Sequence, residues 1–187
     1  VVEGRGQFAS PHLLSVETKE GVKTVSFDHC IIAAGSQSAR IPGFPYDDKR
    51  LMGSTEALEL TDVPKRLLII GGGIIGLEMA TVYDALGSKV TVVEFLDRLI
   101  ATADADIVRP LAKRIEKRYE KILLKTKVTK LEALPEGLRA TFESADGKSP
   151  APAPEVFDRV LLAVGRRPNG KNIAADKAGV TVNERGF

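Results

Sequence analysis

Lys65-Arg66-Leu67-Leu68-Ile69-Ile70-Gly71-Gly72-Gly73-Ile74-Ile75-Gly76-Leu77-Glu78 is the stretch that decides the fold. Its first half is a continuous apolar run, the pattern of a strand buried on both faces. Its second half predicts a helix over 74–86, with Gly87 as a natural stop. Between them Gly71, Gly73 and Gly76 make a G-x-G-x-x-G turn. Lys89-Val90-Thr91-Val92-Val93-Glu94 follows as a second strand rich in β-branched residues, and its acid lies 18 residues after Gly76. The glycine pattern alone is weak. Set between a buried strand and a helix, and followed by an acid at this spacing, it reads as a dinucleotide-binding βαβ unit.

Each glycine has a task. Gly71 makes the tight turn without a Cβ penalty. Gly73 lets the backbone approach a pyrophosphate, and Gly76 lets the helix pack on the strand. The helix N-terminus then offers free N–H groups and the positive end of its dipole to the phosphates. Glu94 selects the cofactor: a carboxylate accepts both ribose hydroxyls and repels a 2′-phosphate. No Lys or Arg stands beside it before Arg98, so NAD(H) is favoured over NADP(H). Glu78, two residues past Gly76, is read as lying in the first helical turn. There it either complements the dipole or faces the cofactor cleft.

Working outward, 12–27 reads as a β-hairpin around Glu20-Gly21, and the apolar run 30–35 as a strand buried on both faces. The stretch 36–64 holds Pro42-Gly43, Pro45 and Pro64 and reads as a connection, with a short helix capped by Ser54 or Thr55 and running through Leu60. An amphipathic helix is predicted over 104–122. Asp104 and Asp106 stand at its start, and Ile107, Leu111, Ile115 and Tyr119 share one face. Another strand lies within 121–134, and a β-meander begins at 138–144. A proline-rich surface excursion falls at 149–154 and a second short buried strand at 160–165. The rest, 166–187, is polar and irregular, with Val180-Thr181-Val182 near its end. The fold class is α/β: a Rossmann-like FAD/NAD(P)-binding fold with a parallel sheet and a β-meander, in three layers.

An internal echo supports this. Phe27-Asp28-His29-Cys30-Ile31-Ile32-Ala33-Ala34-Gly35 aligns with Phe157-Asp158-Arg159-Val160-Leu161-Leu162-Ala163-Val164-Gly165 at an offset of 130 residues, and each follows a meander pattern. It reads as two copies of one nucleotide-binding architecture, the first lacking its front half. With no Met at Val1, the chain is expected to be a piece of something longer.

Composition narrows the function. The 187 residues are 43% apolar and 28% charged, with a net charge of +2, which gives no reason to expect a nucleic-acid partner. The nine Lys and Arg of 109–130 read as a solvated face, because acids interleave. No apolar run reaches the roughly 18 residues of a membrane span. No secretory signal is visible, so a cytoplasmic location is expected. Cys30 is the single cysteine, so an intrachain disulfide, a C-x-x-C pair and a zinc cage are excluded; it reads as core, and His12 and His29 as surface. No metal site, Ser/His/Asp set or paired-carboxylate constellation is found.

Four segments in order carry a resemblance: Gly4-Arg5-Gly6-Gln7-Phe8; Ile31-Ile32-Ala33-Ala34-Gly35-Ser36 with Pro42-Gly43; 71–78 with Glu94; and Ala163-Val164-Gly165-Arg166-Arg167-Pro168-Asn169. Together they resemble the flavoprotein disulfide reductases, nearest the branch that oxidises dihydrolipoamide for the 2-oxoacid dehydrogenase complexes. The resemblance implies that 1–64 is the later part of the first segment of an FAD-binding domain, including a linker. It likewise implies that 65–187 is an inserted NAD-binding domain, with 166–187 leading back to the FAD domain.

The same resemblance makes Gly6, Ala34, Gly35 and Ser36 FAD-lining positions; the family usually has Thr where this chain has Ala34. It makes Gly71, Gly72, Gly73, Ile74, Ile75, Gly76, Leu77, Glu78, Glu94, Val128 and Gly165 NAD-lining positions, with Glu78 near the nicotinamide–flavin junction. The family's first FAD glycine motif, its pair of cysteines separated by four residues, its Gly-Asp flavin motif and its His-Glu dyad are not in this sequence. The implied parent passes electrons from dihydrolipoamide through a disulfide and FAD to NAD+, as a homodimer serving lipoyl domains. This chain by itself is expected to hold no catalytic residue, to be inactive, and to expose apolar surface around 30–35. Other NADH-linked two-dinucleotide flavoproteins (an NADH oxidase, a peroxidase, a mercuric reductase) or a non-catalytic NAD-sensing module are the alternatives.

Overall fold

The computed structural model describes residues 1–147 and 150–187, so the expected excursion at 149–154 begins outside the described residues. In chain order the elements are β1 Arg5–Ser10, β2 Leu13–Thr18, β3 Gly21–Ser26, β4 Ser36–Ser38, β5 Leu51–Met52, α1 Ser54–Leu58, β6 Arg66–Ile70, α2 Ile74–Ala85, β7 Lys89–Val93 and α3 Ala105–Glu116. They continue with β8 Lys121–Leu123, β9 Thr126–Leu134, β10 Gly137–Ser144, β11 Glu155–Phe157, β12 Arg159–Leu162 and β13 Arg166–Pro168, then two 3-10 turns at Gly170–Asn172 and Ala175–Ala178. Two compact units result: Ser38–Gly165, and Val1–Gln37 with Arg166–Phe187.

The unit Ser38–Gly165 is built on a five-stranded sheet in the order β5-β12-β6-β7-β8, every neighbouring pair parallel. Alternation divides its side chains between two cores. Leu67, Ile69, Val90, Val92 and Leu161 face the helix side with Leu77, Ala80 and Tyr83 of α2 and Val108 and Ile115 of α3. Leu68, Ile70, Val93, Val160 and Leu162 face Val128, Leu131, Leu138, Ala140, Phe142 and Phe157. These last come from the antiparallel meander β9-β10-β11. Both faces are covered, which explains the unbroken apolar runs at 67–70 and 160–162. The three expected layers are present.

Several local expectations are corrected. The predicted helix 104–122 ends at Glu116. Its buried stripe runs through Val108, Leu111 and Ala112 to Ile115, while Ile107 is 70% exposed, because a 3.6-residue period drifts off a four-residue spacing. The strand expected in 121–134 is two strands in two sheets, broken where Lys125 takes φ +50°. Helix α1 starts after Gly53, neither Ser54 nor Thr55 being its cap, and Glu56 Oε2 accepts from Gly53 N–H at 2.8 Å. Residues 38–64 pack within the parallel-sheet unit through β5 and α1.

The largest correction is the first copy of the echo. Its counterpart β12 lies between β5 and β6 and is fully buried at Val160 and Leu161. Residues 30–35 form no strand; Ile31 is 94% exposed and Cys30 is exposed, not core. Apolar residues become a strand only where a neighbour takes up their N–H and C=O groups, and among the described residues no strand pairs with 30–35. The expected exposure of apolar surface there is present. The echo survives in its glycines. Asn169 N–H donates to Gly35 O at 3.1 Å, and Ala39 N–H donates to Gly165 O at 3.0 Å. Each donor stands four residues after one glycine and bonds the other.

The unit Val1–Gln37 with Arg166–Phe187 carries the sheet β1-β2-β3; β2 and β3 are the expected hairpin and β1 is an added strand. Phe8 N–H donates to Ile173 O at 2.8 Å and Gln7 Nε2 to Asn172 O at 3.2 Å, tying the C-terminal turns to β1.

Charges pin the meander to the parallel sheet. The Arg66 guanidinium donates to Glu155 Oε2 at 2.7 Å and to Val156 O at 2.9 Å and lies 4.9 Å from the Phe157 ring centre, while Lys121 Nζ is 2.6 Å from Glu155 Oε1. Burial pushes the Glu155 carboxyl up, but Lys121 and Arg66 outweigh it and hold it below the ordinary carboxylate range. A depressed folded-state pKa adds stability that is present above the unfolded-state value and is lost as the pH falls through the folded one. Glu155→Gln is therefore expected to cost about 1–2 kcal/mol at neutral pH and progressively less in acid, read by urea unfolding. A deficit that does not shrink on acidification would show that Glu155 acts by packing alone.

Candidate functional site

The chain runs β6, α2, β7, α3, β8 in one direction across the sheet, while β12 lies on the other side of β6. That reversal is a topological switch point, and ligands of open parallel sheets bind beyond the carboxyl ends of the strands at such points. Beyond Ile70, the end of β6, stands the glycine turn.

The protein itself fixes three of its glycines. Gly71 has φ +114° and donates its N–H to Val93 O at 2.8 Å; a Cβ there would run into the Ala163 carbonyl beyond β12. A Cβ at Gly76 would strike the Gly71 carbonyl and come within 3.2 Å of Ile69 Cγ2, so the helix packs on the strand as expected. A Cβ at Gly72, to which the motif assigns no task, would meet Leu99 Cδ2 at 2.6 Å and Glu94 Cβ at 3.1 Å. Gly73 is the exception. It is the N-cap of α2 at φ −79°, ψ −173°, with nothing within 4 Å of the Cβ position and no side chain capping the helix. The turn is thus closed on its protein side and open at Gly73, where helix N–H groups lack intrahelical partners.

Glu94 follows β7 and is half-buried. Its Oε2 accepts from Gly72 N–H at 2.7 Å and its Oε1 from Leu96 N–H at 2.8 Å. A carboxylate oxygen can accept two hydrogen bonds, so each of these, holding one, retains a further acceptor direction. Thr126 N–H donates to Glu94 O at 3.0 Å, which brings the start of β9 beside the acid; Val128, two residues on, is buried in the meander core. Gly165 (φ +122°) follows β12 with nothing within 4 Å of its Cβ position.

The helix residues of the motif face different ways. Leu77 is buried in the helix-side core, Ile75 is half-buried, and Ile74 and Glu78 are exposed. Glu78 is the fifth residue of α2 and the first turn holds no acid, which corrects its expected placement. The dipole acts within the first turn, so that explanation of Glu78 loses its ground.

In the other unit, Ala34 and Gly35 lead into β4 at Ser36, which pairs with β13, and the segment is held by the following motif. Arg166 Nε donates to Ser36 Oγ at 2.7 Å and its Nη2 to Ser36 O at 2.6 Å, and Asn169 Nδ2 donates to Ala34 O at 2.9 Å. No hydrogen bond joins Gly6, in β1, to that turn. Nothing in the residue types of Arg166 and Asn169 announces this task. Leu96, Leu99 and Ile100 carry no signal in the sequence either: two act through backbone N–H groups and Leu99 through an ordinary apolar contact. Among the described residues no group of three or more His, Cys, Asp or Glu is placed to hold a metal, and no helix is long and apolar enough to cross a membrane.

A strand, glycine turn and helix at a switch point, followed by a strand-end acid, form the arrangement of a dinucleotide-binding unit. Comparison with known proteins narrows it: the chain belongs to the family described as pyridine nucleotide-disulphide oxidoreductase, the match running over residues 1–187. It is 50% identical over 187 residues to a dihydrolipoyl dehydrogenase of Vibrio cholerae, covering all of this chain and 38% of that protein. It is 41% identical to a leghemoglobin reductase of Glycine max, covering 99% of this chain and 35% of that one. The solved structure of an HOCl-induced flavoprotein disulfide reductase of Escherichia coli superposes with a TM-score of 0.84 at 28% identity, covering all of this chain and 40% of that one. The chain thus spans less than half the length of the relatives it matches, in a family of oxidoreductases named for a pyridine nucleotide and a disulphide.

Proposed function

We propose that the unit Ser38–Gly165 holds NAD(H) for a flavoprotein that oxidises dihydrolipoamide to lipoamide, passing electrons through a disulfide and FAD to NAD+. The observation that carries the nucleotide assignment is Glu94: two backbone N–H groups aim its carboxylate and leave one acceptor direction on each oxygen, the number a ribose diol needs. A 2′-phosphate would bring a second anion onto that carboxylate. The open side of Gly73 and the uncapped start of α2 suit a pyrophosphate. Val128 and Gly165 border the crevice in this reading, and Glu78 stands on its nicotinamide side. The nicotinamide, when bound, supplies the hydride chemistry; the residues here bind and orient it.

The FAD assignment covers Gly6, Ala34, Gly35 and Ser36. Among the described residues only α2 opens on a run of three glycines, and the FAD assignment is read without a second such turn. These residues contribute part of an FAD site and do not form one, and we accordingly infer that the chain does not turn over alone. Dimerisation, lipoyl-domain partners and a cytoplasmic location belong to the proposal for the whole protein. The similarity to a leghemoglobin reductase supports a second reading, in which the same nucleotide unit serves a different acceptor; residues outside this chain discriminate the two.

Calorimetric titration with NADH, NADPH and FAD tests the site. NADH is expected to bind more tightly than NADPH by about tenfold or more, about 1.4 kcal/mol, with FAD weak. NADPH binding more tightly would overturn the role of Glu94. No binding by a chain whose circular dichroism shows it folded would make the glycine turn purely structural.

A further inference from the structure

We propose that Leu99 and Ile100 are positioning residues for the nucleotide: their loop clamps Gly72, so that the phosphate turn and the ribose acid are held as one preorganised pair. The inference rests on the reading of the crevice as an NAD(H) site. Ile100 takes φ +42°, a conformation that a β-branched residue adopts only where its surroundings impose it. What the conformation achieves is specific. Ile100 N–H donates to Gly72 O at 3.0 Å, while Leu99, buried, sets its Cδ2 where a Gly72 side chain would begin. On its other side Gly72 donates its N–H to Glu94 Oε2 at 2.7 Å. The loop is anchored at both ends: Leu96 N–H bonds Glu94 Oε1 at 2.8 Å, Ala103 N–H bonds Ile100 O at 2.9 Å, and Arg98 Nη2 bonds Ala101 O at 2.6 Å.

Peptide planarity carries the consequence to the ligand. The Gly72 carbonyl and the Gly73 N–H share one trans peptide and point in opposite directions. A carbonyl fixed on Ile100 therefore turns the Gly73 N–H away from the loop, at the residue whose side is open. Binding to a turn already held in place loses less ordering entropy than binding to a free one.

Two substitutions separate this role from mere support of the fold. Ile100→Asn keeps a residue that tolerates the left-handed region but gives up the packing of Ile100 on the helix-side core; it is expected to lose some stability and still to bind NADH within about twofold of the unsubstituted chain. Ile100→Gly removes the strain but frees the backbone. It gives up the same core packing as Ile100→Asn, so the two are compared with each other: Ile100→Gly is expected to exchange its residue-100 amide hydrogen about tenfold faster or more than Ile100→Asn, to bind NADH about 3–10-fold more weakly through a less favourable entropy, and to discriminate less against NADPH. Equal NADH affinity in Ile100→Gly despite faster exchange would overturn the proposal. So would a residue-100 amide that exchanges at free-loop rates in the unsubstituted chain. An unsubstituted chain that keeps that amide protected and binds no NADH would overturn the nucleotide reading and the clamp's purpose with it, and exchange tells that result from the other two.

Discussion

Gly71→Ala is expected to destabilise the parallel-sheet unit by about 2–5 kcal/mol, a large share of the stability of an ordinary domain. Two effects add. At φ +114° an L side chain is strained, and the new Cβ would overlap the carbonyl of Ala163, a backbone atom that cannot rotate aside. Relief requires the exit of β12 to move away from β6, opening the sheet at its switch point. Gly73→Ala is the control. Its φ of −79° suits any residue and its Cβ position is open, so stability should stay within about 0.5 kcal/mol while NADH affinity falls, because the methyl group occupies the approach to the helix N-terminus. Urea unfolding followed by circular dichroism, beside NADH titration, reads both. A Gly71→Ala loss below about 1 kcal/mol would show that the turn relaxes and that the close approach is not required.

Glu94→Ala is expected to weaken NADH by about a hundredfold and to leave NADPH unchanged or tighter. Two hydrogen bonds to a charged acceptor are worth about 1.5–3 kcal/mol each, and part is recovered as water reaches the emptied space. The same substitution leaves the N–H groups of Gly72 and Leu96 without their acceptor, so some affinity is lost through the turn and would be lost for both nucleotides. The NADH-to-NADPH ratio isolates the direct contact. A variant that weakens both equally would assign Glu94 to holding the turn and not to reading the ribose.

The two copies of the echo show where sequence legibility stops. Residues 30–35 and 160–165 have matching apolar patterns, yet only the second holds a strand, because only there do β5 and β6 take up the backbone groups. The pattern of a buried strand states what a segment can satisfy and does not state whether its neighbours are present. The over-long helix at 104–122 has a more local cause: α3 ends at Glu116, and the chain turns before β8 although apolar residues continue to recur.

What the sequence by itself determined is the order strand, glycine turn, helix, strand, acid, and with it the class of ligand, because residue types with unique conformational or charge properties stand at fixed spacings. Gly71, Gly76 and Glu94 are legible for that reason: no other residue tolerates φ +114° or the contact with the Gly71 carbonyl as glycine does, and only a carboxylate offers acceptors alone. The tertiary structure alone decided that Gly72 is wedged between Glu94 and Leu99, that Ile100 donates to it, and that Arg166 and Asn169 hold the segment Ala34–Ser36. Those tasks fall largely to backbone atoms, or to contacts between residues far apart in the chain. A peptide N–H is the same in every residue but proline, so its partner is set by where the folded chain brings it.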